Sequence, residues 1–173
     1  MQSVTASNPK HAPGWQAAAQ LEMLTGNLSA ARKIIMRGCK ECPESEDLWV
    51  NAAKMQTGDK AKLVMAQAAK ANPTSVNIWL YRAHLESEEA GKKAVLRDAL
   101  DKVPGSVRLW KALVELEDPD NARILLGRAV ECCPTSLELW LALARLETYE
   151  NARRVLNTAR THFPLEPTVW VNA

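Results

Sequence analysis

A proline followed six residues later by a tryptophan occurs six times in this 173-residue chain: Pro9 with Trp15, Pro43 with Trp49, Pro73 with Trp79, Pro104 with Trp110, Pro134 with Trp140 and Pro164 with Trp170. Successive tryptophans are 34, 30, 31, 30 and 30 residues apart. They account for six of the nine aromatic residues, so the tryptophan excess is positional. A pattern recurring every 30 residues or so fixes the kind of fold available. Each unit is too small to bury its own apolar faces, and only stacking against neighbours can do that.

Aligning the units exposes further columns. Four residues after the tryptophan stand Ala19, Ala53, Ala83, Val114 and Ala144; six after it stand Leu21, Met55, Leu85, Leu116 and Leu146. Seven after it stand Glu22, Gln56, Glu86, Glu117 and Glu147. Counting back from the next proline, Ile35, Met65, Leu96, Leu126 and Leu156 lie eight before it, and the small residues Gly38, Ala68, Ala99, Ala129 and Ala159 lie five before it. Both sets fall on single arcs at 100° per residue, which predicts two helices, A and B, per unit. Ser45, Ser75, Ser106 and Ser136 are placed to cap helix A. Helix B should stop at the residue before the proline, which avoids helical geometry.

The expected architecture is all-α: an α-α superhelix, or solenoid, of about five helix-turn-helix units in a single domain. The units run over 9–42, 43–72, 73–103, 104–133 and 134–163, with the start of a sixth at 164–173. Residues 1–8 read as the tail of a preceding helix, and the whole as a fragment of a longer array. The turns between A and B are short and polar, and the first is four residues longer, around Thr25, Gly26 and Asn27.

Trp15, Trp49, Trp79, Trp110 and Trp140 are expected to pack in the core against the small column rather than to stack on a ligand. Removing one should cost about 3–5 kcal/mol. Seven residues turn a helix through 700°, so Glu22, Glu86, Glu117 and Glu147 should point into the apolar arc and need partners. Arg32, Lys62, Lys93, Arg123 and Arg153, each eleven before the next proline, are the candidates. They predict a structural ladder of ion pairs, within or between repeats.

Other chemistry finds little support. The formal charge is +2, with 10 basic and 7 acidic residues in 1–86 and 12 and 13 in 87–173, so neither half is a basic or acidic tail. No apolar run approaches the ~20 residues of a membrane span, and residues 1–7 do not read as a signal peptide. Cys39 and Cys42 form a lone CxxC at a helix C-terminus, where the dipole opposes a thiolate; with Cys132 and Cys133 they read as free thiols. His11, His84 and His162 fall in unrelated columns, and Gly91, Lys92 and Lys93 lack a phosphate-loop framework. No catalytic, metal or cofactor site is expected. The pairs Arg32 with Lys33, Lys92 with Lys93 and Arg153 with Arg154 keep RNA contact open as a minority reading.

The columns are similar to tetratricopeptide repeats, but that family has glycine four after the tryptophan and tyrosine seven after it. Alanine and glutamate at those positions resemble half-a-tetratricopeptide (HAT) repeats instead. Residues 128–136 (RAVECCPTS) and 139–153 (LWLALARLETYENAR), with 106–111 (SVRLWK), 121–125 (NARIL) and 8–15 (NPKHAPGW), look like the pre-mRNA-processing factor six family. The likeness covers the chain, is most specific over 106–156 and is weakest over 54–70 and 84–103. What it implies is a nuclear, non-enzymatic scaffold without cofactors. Its partners would be spliceosomal snRNP proteins, and it would bridge U5 to U4/U6 components in the tri-snRNP. The alternative is a solenoid that binds RNA through the basic starts of helix B. No membrane partner is expected, and self-association is left open.

Overall fold

The computed structural model describes residues 8–164. The expected tail in residues 1–7, and the sixth unit beyond Pro164 with Trp170, lie outside the described residues. Ten helices are present among those described: α1 (Ala12–Leu24), α2 (Leu28–Glu41), α3 (Glu46–Lys54), α4 (Asp59–Ala71), α5 (Val76–His84), α6 (Glu89–Lys102), α7 (Val107–Val114), α8 (Pro119–Cys132), α9 (Leu137–Leu146) and α10 (Tyr149–His162). Odd-numbered helices are the A helices and even-numbered ones the B helices, giving the all-α solenoid class. The chain divides into two compact units, Met1–Val95 and Leu96–Ala173, with the division inside α6.

Every B-to-A connection is the same β-turn. Proline takes the second position, where its fixed φ is already correct. The N–H of the fourth residue reaches the carbonyl of the first: Ser45 to Cys42 at 3.1 Å, Ser75 to Asn72 at 3.2 Å, Ser106 to Val103 at 3.3 Å and Ser136 to Cys133 at 3.1 Å. The residue before the proline leaves the helical region, with φ near −127° at Cys42, Cys133 and Phe163. Its own N–H still closes the helix on the small column, as from Cys42 to the Gly38 carbonyl at 2.8 Å. All four serines are N-caps. Ser75 Oγ accepts from the Ile78 N–H and Ser106 Oγ from the Leu109 N–H, whereas Ser45 and Ser136 make no side-chain cap bond.

The A helices stop earlier than the column arithmetic implied. α3, α5, α7 and α9 have only 8 to 10 residues, because Gly58, Ser87, Pro119 and Thr148 interrupt the helix formers. The first unit differs. Residues 16–24 are all good helix formers, so α1 runs for 13 residues. The four extra residues therefore lengthen the helix by a turn rather than the connection. Gly26, at φ +80°, and Gly58, at φ +55°, take left-handed conformations in the turns that follow.

In the first unit α1 packs on α2, α2 on α3, α3 on α4 and α4 on α5, with α1 also touching α3 and α3 touching α5. In the second, α7 packs on α8, α8 on α9 and α9 on α10. The residues preceding the tryptophans, Leu48, Ile78, Leu109 and Leu139, are fully buried with Ile35, Met65, Leu96 and Leu126. The small column is fully buried too. At Gly38 the fit is so close that an added Cβ would lie 2.7 Å from the Trp15 Cβ. Leu21 and Leu146, expected on the apolar arc, are instead exposed at the ends of their helices.

Candidate functional site

The repeated proline and tryptophan are joined by a hydrogen bond. A buried indole N–H can only donate and needs an acceptor, while the proline carbonyl, second in its turn, is free of the turn's own bond. Trp15 Nε1 donates to the Pro9 carbonyl at 2.8 Å, Trp49 to Pro43 at 2.9 Å, Trp79 to Pro73 at 2.8 Å, Trp110 to Pro104 at 2.8 Å and Trp140 to Pro134 at 3.0 Å. The same carbonyls take a second donor from the residue before the next proline. Cys42 Sγ reaches Pro9 at 3.3 Å, Asn72 Nδ2 reaches Pro43 at 2.7 Å and Cys133 Sγ reaches Pro104 at 3.6 Å. One carbonyl thus ties a helix A to the end of the helix B that follows. The fixed distance of six was the visible trace of this bond in the sequence. The three second donors left no trace, because Val103 and Phe163 occupy the same column without donating. Cations cover two of the indoles, Arg37 at 5.7 Å from the Trp15 ring and Arg82 at 5.3 Å from that of Trp79; His162 stacks on Trp140 at 5.6 Å.

The acid and base columns meet between repeats, with a constant offset of 24 residues. Lys62 Nζ lies 2.8 Å from Glu86 Oε2, and Arg123 Nη1 lies 3.7 Å from Glu147 Oε2. The Glu86 hydrogen bond holds the Lys62 ammonium above its ordinary pKa. At the first junction the neutral amide Gln56 stands where the acid would be, and Arg32 Nε donates instead to the Met55 carbonyl at 2.8 Å. Glu117 accepts from Arg97 Nη2 at 2.8 Å, one helical turn beyond Lys93, which is itself engaged. At that offset neither Glu22 nor Arg153 has a counterpart within residues 1–173. Arg97 was missed because its column carries no recurring base.

The carboxylates are shielded for a different reason from the angular one. α5 ends at His84, α7 at Val114 and α9 at Leu146, so Glu86, Glu117 and Glu147 lie beyond the helix. Backbone bonds from the Glu86 N–H to the Ala83 carbonyl and from the Glu117 N–H to the Val114 carbonyl, both 3.2 Å, turn the chain just past the helix end, and the side chains meet the preceding helix B. Only Glu22 lies inside its helix. Further links join neighbouring A helices: Asn77 Nδ2 donates to Glu46 Oε2 at 3.1 Å, and Lys111 Nζ to Glu138 Oε2 at 2.9 Å.

Cys39, Cys42 and Cys133 are buried and Cys132 exposed, all as free thiols. Burial pushes the Cys39 thiol up to about 12, which removes it from nucleophilic chemistry at neutral pH. Among the described residues no cluster of three or more His, Cys, Asp or Glu is placed to hold a metal. Nor is any described helix long and apolar enough to cross a membrane.

The remaining surface varies at the hairpin tips, where helix A turns into helix B. From the fifth residue after each tryptophan to the ladder base, the second to fifth tips (54–62, 84–93, 115–123 and 145–153) carry four or five charges in nine or ten residues. The first (20–32) carries two in thirteen, Glu22 and Arg32. It exposes Leu21, Met23, Leu24 and Leu28, with Leu24 at 87%. Exposed large apolar side chains elsewhere sit among charges: Leu63 just past the second tip, Ile124 just past the fourth, and Leu146 with Tyr149 in the fifth.

Known proteins share this framework. The tetratricopeptide repeat family matches residues 12–55 and 111–146. The crystal structure of MamA protein superposes with a TM-score of 0.50 over 89% of this chain and 92% of that one; at 12% identity it speaks to the fold alone. Human Pre-mRNA-processing factor 6 is 58% identical over 126 residues, 73% of this chain and 13% of that protein. Arabidopsis thaliana Protein STABILIZED1 is 52% identical over 74% of the chain and 12% of its own length. Pre-mRNA-splicing factor prp1 of Schizosaccharomyces pombe is 50% identical over 56% and 11%. The chain therefore spans about an eighth of the length of the curated relatives it matches. With identity of that degree on a tetratricopeptide-like helical array, the chain belongs to the pre-mRNA-processing factor 6 family, within its repeat region.

Proposed function

We propose that this chain is a non-enzymatic, protein-binding scaffold of pre-mRNA splicing, acting in the nucleus. The observation that carries the reading is the 58% identity with human Pre-mRNA-processing factor 6 across most of the chain. In finer detail, its repeats hold proteins of the U5 particle against those of U4/U6 during tri-snRNP assembly. The array suits that task. Its hydrogen bonds and ion pairs are spent at the repeat junctions, leaving the helix surfaces and hairpin tips to vary with the partner.

The RNA-binding alternative is the weaker one. It relied on the pairs Arg32 with Lys33, Lys92 with Lys93 and Arg153 with Arg154, yet Arg32 is held by a backbone carbonyl and Lys93 is itself engaged, while Lys33 is exposed. Arg153 and Arg154 remain exposed. Incubating the immobilised chain with nuclear extract should recover U5 and U4/U6 proteins in the absence of RNA. Recovery of none of them would overturn the scaffold reading. A gel shift with spliceosomal RNA whose affinity falls steeply with salt would favour the alternative.

A further inference from the structure

The junction between the first and second repeats departs from the later ones in charge alone. At the later junctions a cation on helix B takes a carboxylate from the repeat that follows: Lys62 from Glu86, Arg97 from Glu117 and Arg123 from Glu147. Gln56 stands 24 residues after Arg32, at the offset of Glu86 from Lys62 and of Glu147 from Arg123. Its backbone takes the course that the acids take. The Gln56 N–H reaches the Ala53 carbonyl at 3.0 Å, as Glu86 reaches Ala83 and Glu117 reaches Val114 at 3.2 Å. The position is kept and the charge is missing, because the glutamine amide is neutral.

The cation is retained. A guanidinium carries five N–H donors in a planar fork and stays charged at every physiological pH. Arg32 uses Nε on the Met55 carbonyl at 2.8 Å, and neither Nη has an acceptor among the described residues. The side chain is half-buried where two described repeats pack together. Its surroundings are cationic too. Lys33 follows Arg32 in α2, Lys54 precedes Met55, and Lys60 lies just past the turn; all three are exposed, against one exposed carboxylate, Asp59.

We propose that Arg32 is the docking point for an acidic segment of a partner protein, one Asp or Glu carboxylate of which pairs with the two Nη groups in place of the ladder acid that this junction lacks. The proposal rests on the scaffold reading and adds the chemistry of one partner segment. The molecule's own precedent identifies the occupant, since the other junctions satisfy their helix B cation with a carboxylate. Geometry agrees, because a carboxylate matches the guanidinium fork with two parallel bonds. The flanking lysines draw in further acids of the same segment.

The test is fluorescence anisotropy on the whole chain at low salt, with a labelled hexaglutamate peptide and a labelled hexauridine RNA as probes. The peptide should bind, and two opposite changes should each weaken it at least ~10-fold. Arg32→Gln removes the fork, and Gln56→Glu supplies the missing acid within the chain. Gln56→Glu should also raise the melting temperature by about 2–4 °C, which separates lost binding from lost fold. Lys102→Gln, the same loss of one positive charge in the second compact unit, should leave the affinity within about 2-fold. No binding of the peptide, an affinity unchanged by Gln56→Glu, equal losses with Lys102→Gln and Arg32→Gln, or tighter binding of the RNA than of the peptide would each overturn the proposal. In nuclear extract, the Gln56→Glu chain should lose at least one splicing protein that the unaltered chain recovers. Recovery of the same set would overturn the docking point and leave the scaffold standing. If the unaltered chain recovers no splicing protein, both fall.

Discussion

The two ends of each helical hairpin obey different rules. Where helix B gives way to the next helix A, the described repeats use the same turn, the same indole bond to a proline carbonyl and a buried glycine or alanine in the same column. Where helix A gives way to helix B, the helix length, the turn and the charge all change from repeat to repeat. The contrast follows from what each end must satisfy. The first end buries a donor, a carbonyl and a large ring at once, and buried polar groups have few solutions. The second faces water, which accepts any polar sequence.

Deleting the large ring strains this comparison most. Trp110→Ala should lower stability by about 3–5 kcal/mol, while Tyr149→Ala at an exposed tip should stay within about 0.5 kcal/mol. Trp110→Phe should fall between, at about 1–2 kcal/mol, because it leaves the Pro104 carbonyl without its indole donor. Denaturant melts of the three variants check this. If the phenylalanine variant is as stable as wild type, the indole bond is incidental.

Glycine substitutions sharpen the point. Gly38→Ala should cost about 1–3 kcal/mol, because the new methyl meets the fixed stem of Trp15. Gly127→Ala, within α8 with nothing in the way, should gain about 0.5–1 kcal/mol. Calorimetry should show melting temperatures that move in opposite directions. A shared direction would mean that the Gly38 backbone relaxes.

The ladder sits between the two ends and should give an intermediate effect. Glu117 is only 4% exposed in its side chain, so Glu117→Ala should cost about 1–3 kcal/mol. Exposed Asp120→Ala should cost no more than about 0.5 kcal/mol, its share of the helix dipole. Equal small losses would place the glutamate column in solvent.

The last test concerns the thiols. Cys39 is held neutral, with its pKa raised to about 12 from an ordinary value near 9. The folded state therefore keeps its proton more tightly than the unfolded chain does, and this contribution is complete below pH ~9 and drains away between pH ~9 and ~12. Melting temperature should decline over that window. At pH 8 a thiol reagent should label exposed Cys132 at once and Cys39 only on unfolding.

Much of the molecule was legible in the chain. Pro43, Ser45 and Trp49 announce a turn, a cap and a core residue within seven positions, because each is a local choice with a local cause. The ladder was legible as composition but not as geometry. Lys62 and Glu86 could be named as candidates, yet the reason offered was a continuing helix, and the helix stops at His84. Helix ends depend on which breaker comes first, and angular arithmetic does not register breakers. The added turn of α1 was read as a longer connection, although residues 16–24 contain nothing to stop a helix.

What the sequence determined by itself is periodic: the two helices in each described repeat and the columns they bury. Those follow from spacing, and spacing is carried along the chain. What only the tertiary structure decided is pairing: that each described indole bonds a proline carbonyl, that Lys62 and Arg123 reach the acid 24 residues on rather than one in their own repeat, and that Arg97 joins the ladder at Glu117. Those bonds depend on how one helix is set against the next. That setting comes from the packing of rings against small residues over the whole junction, which no single repeat contains.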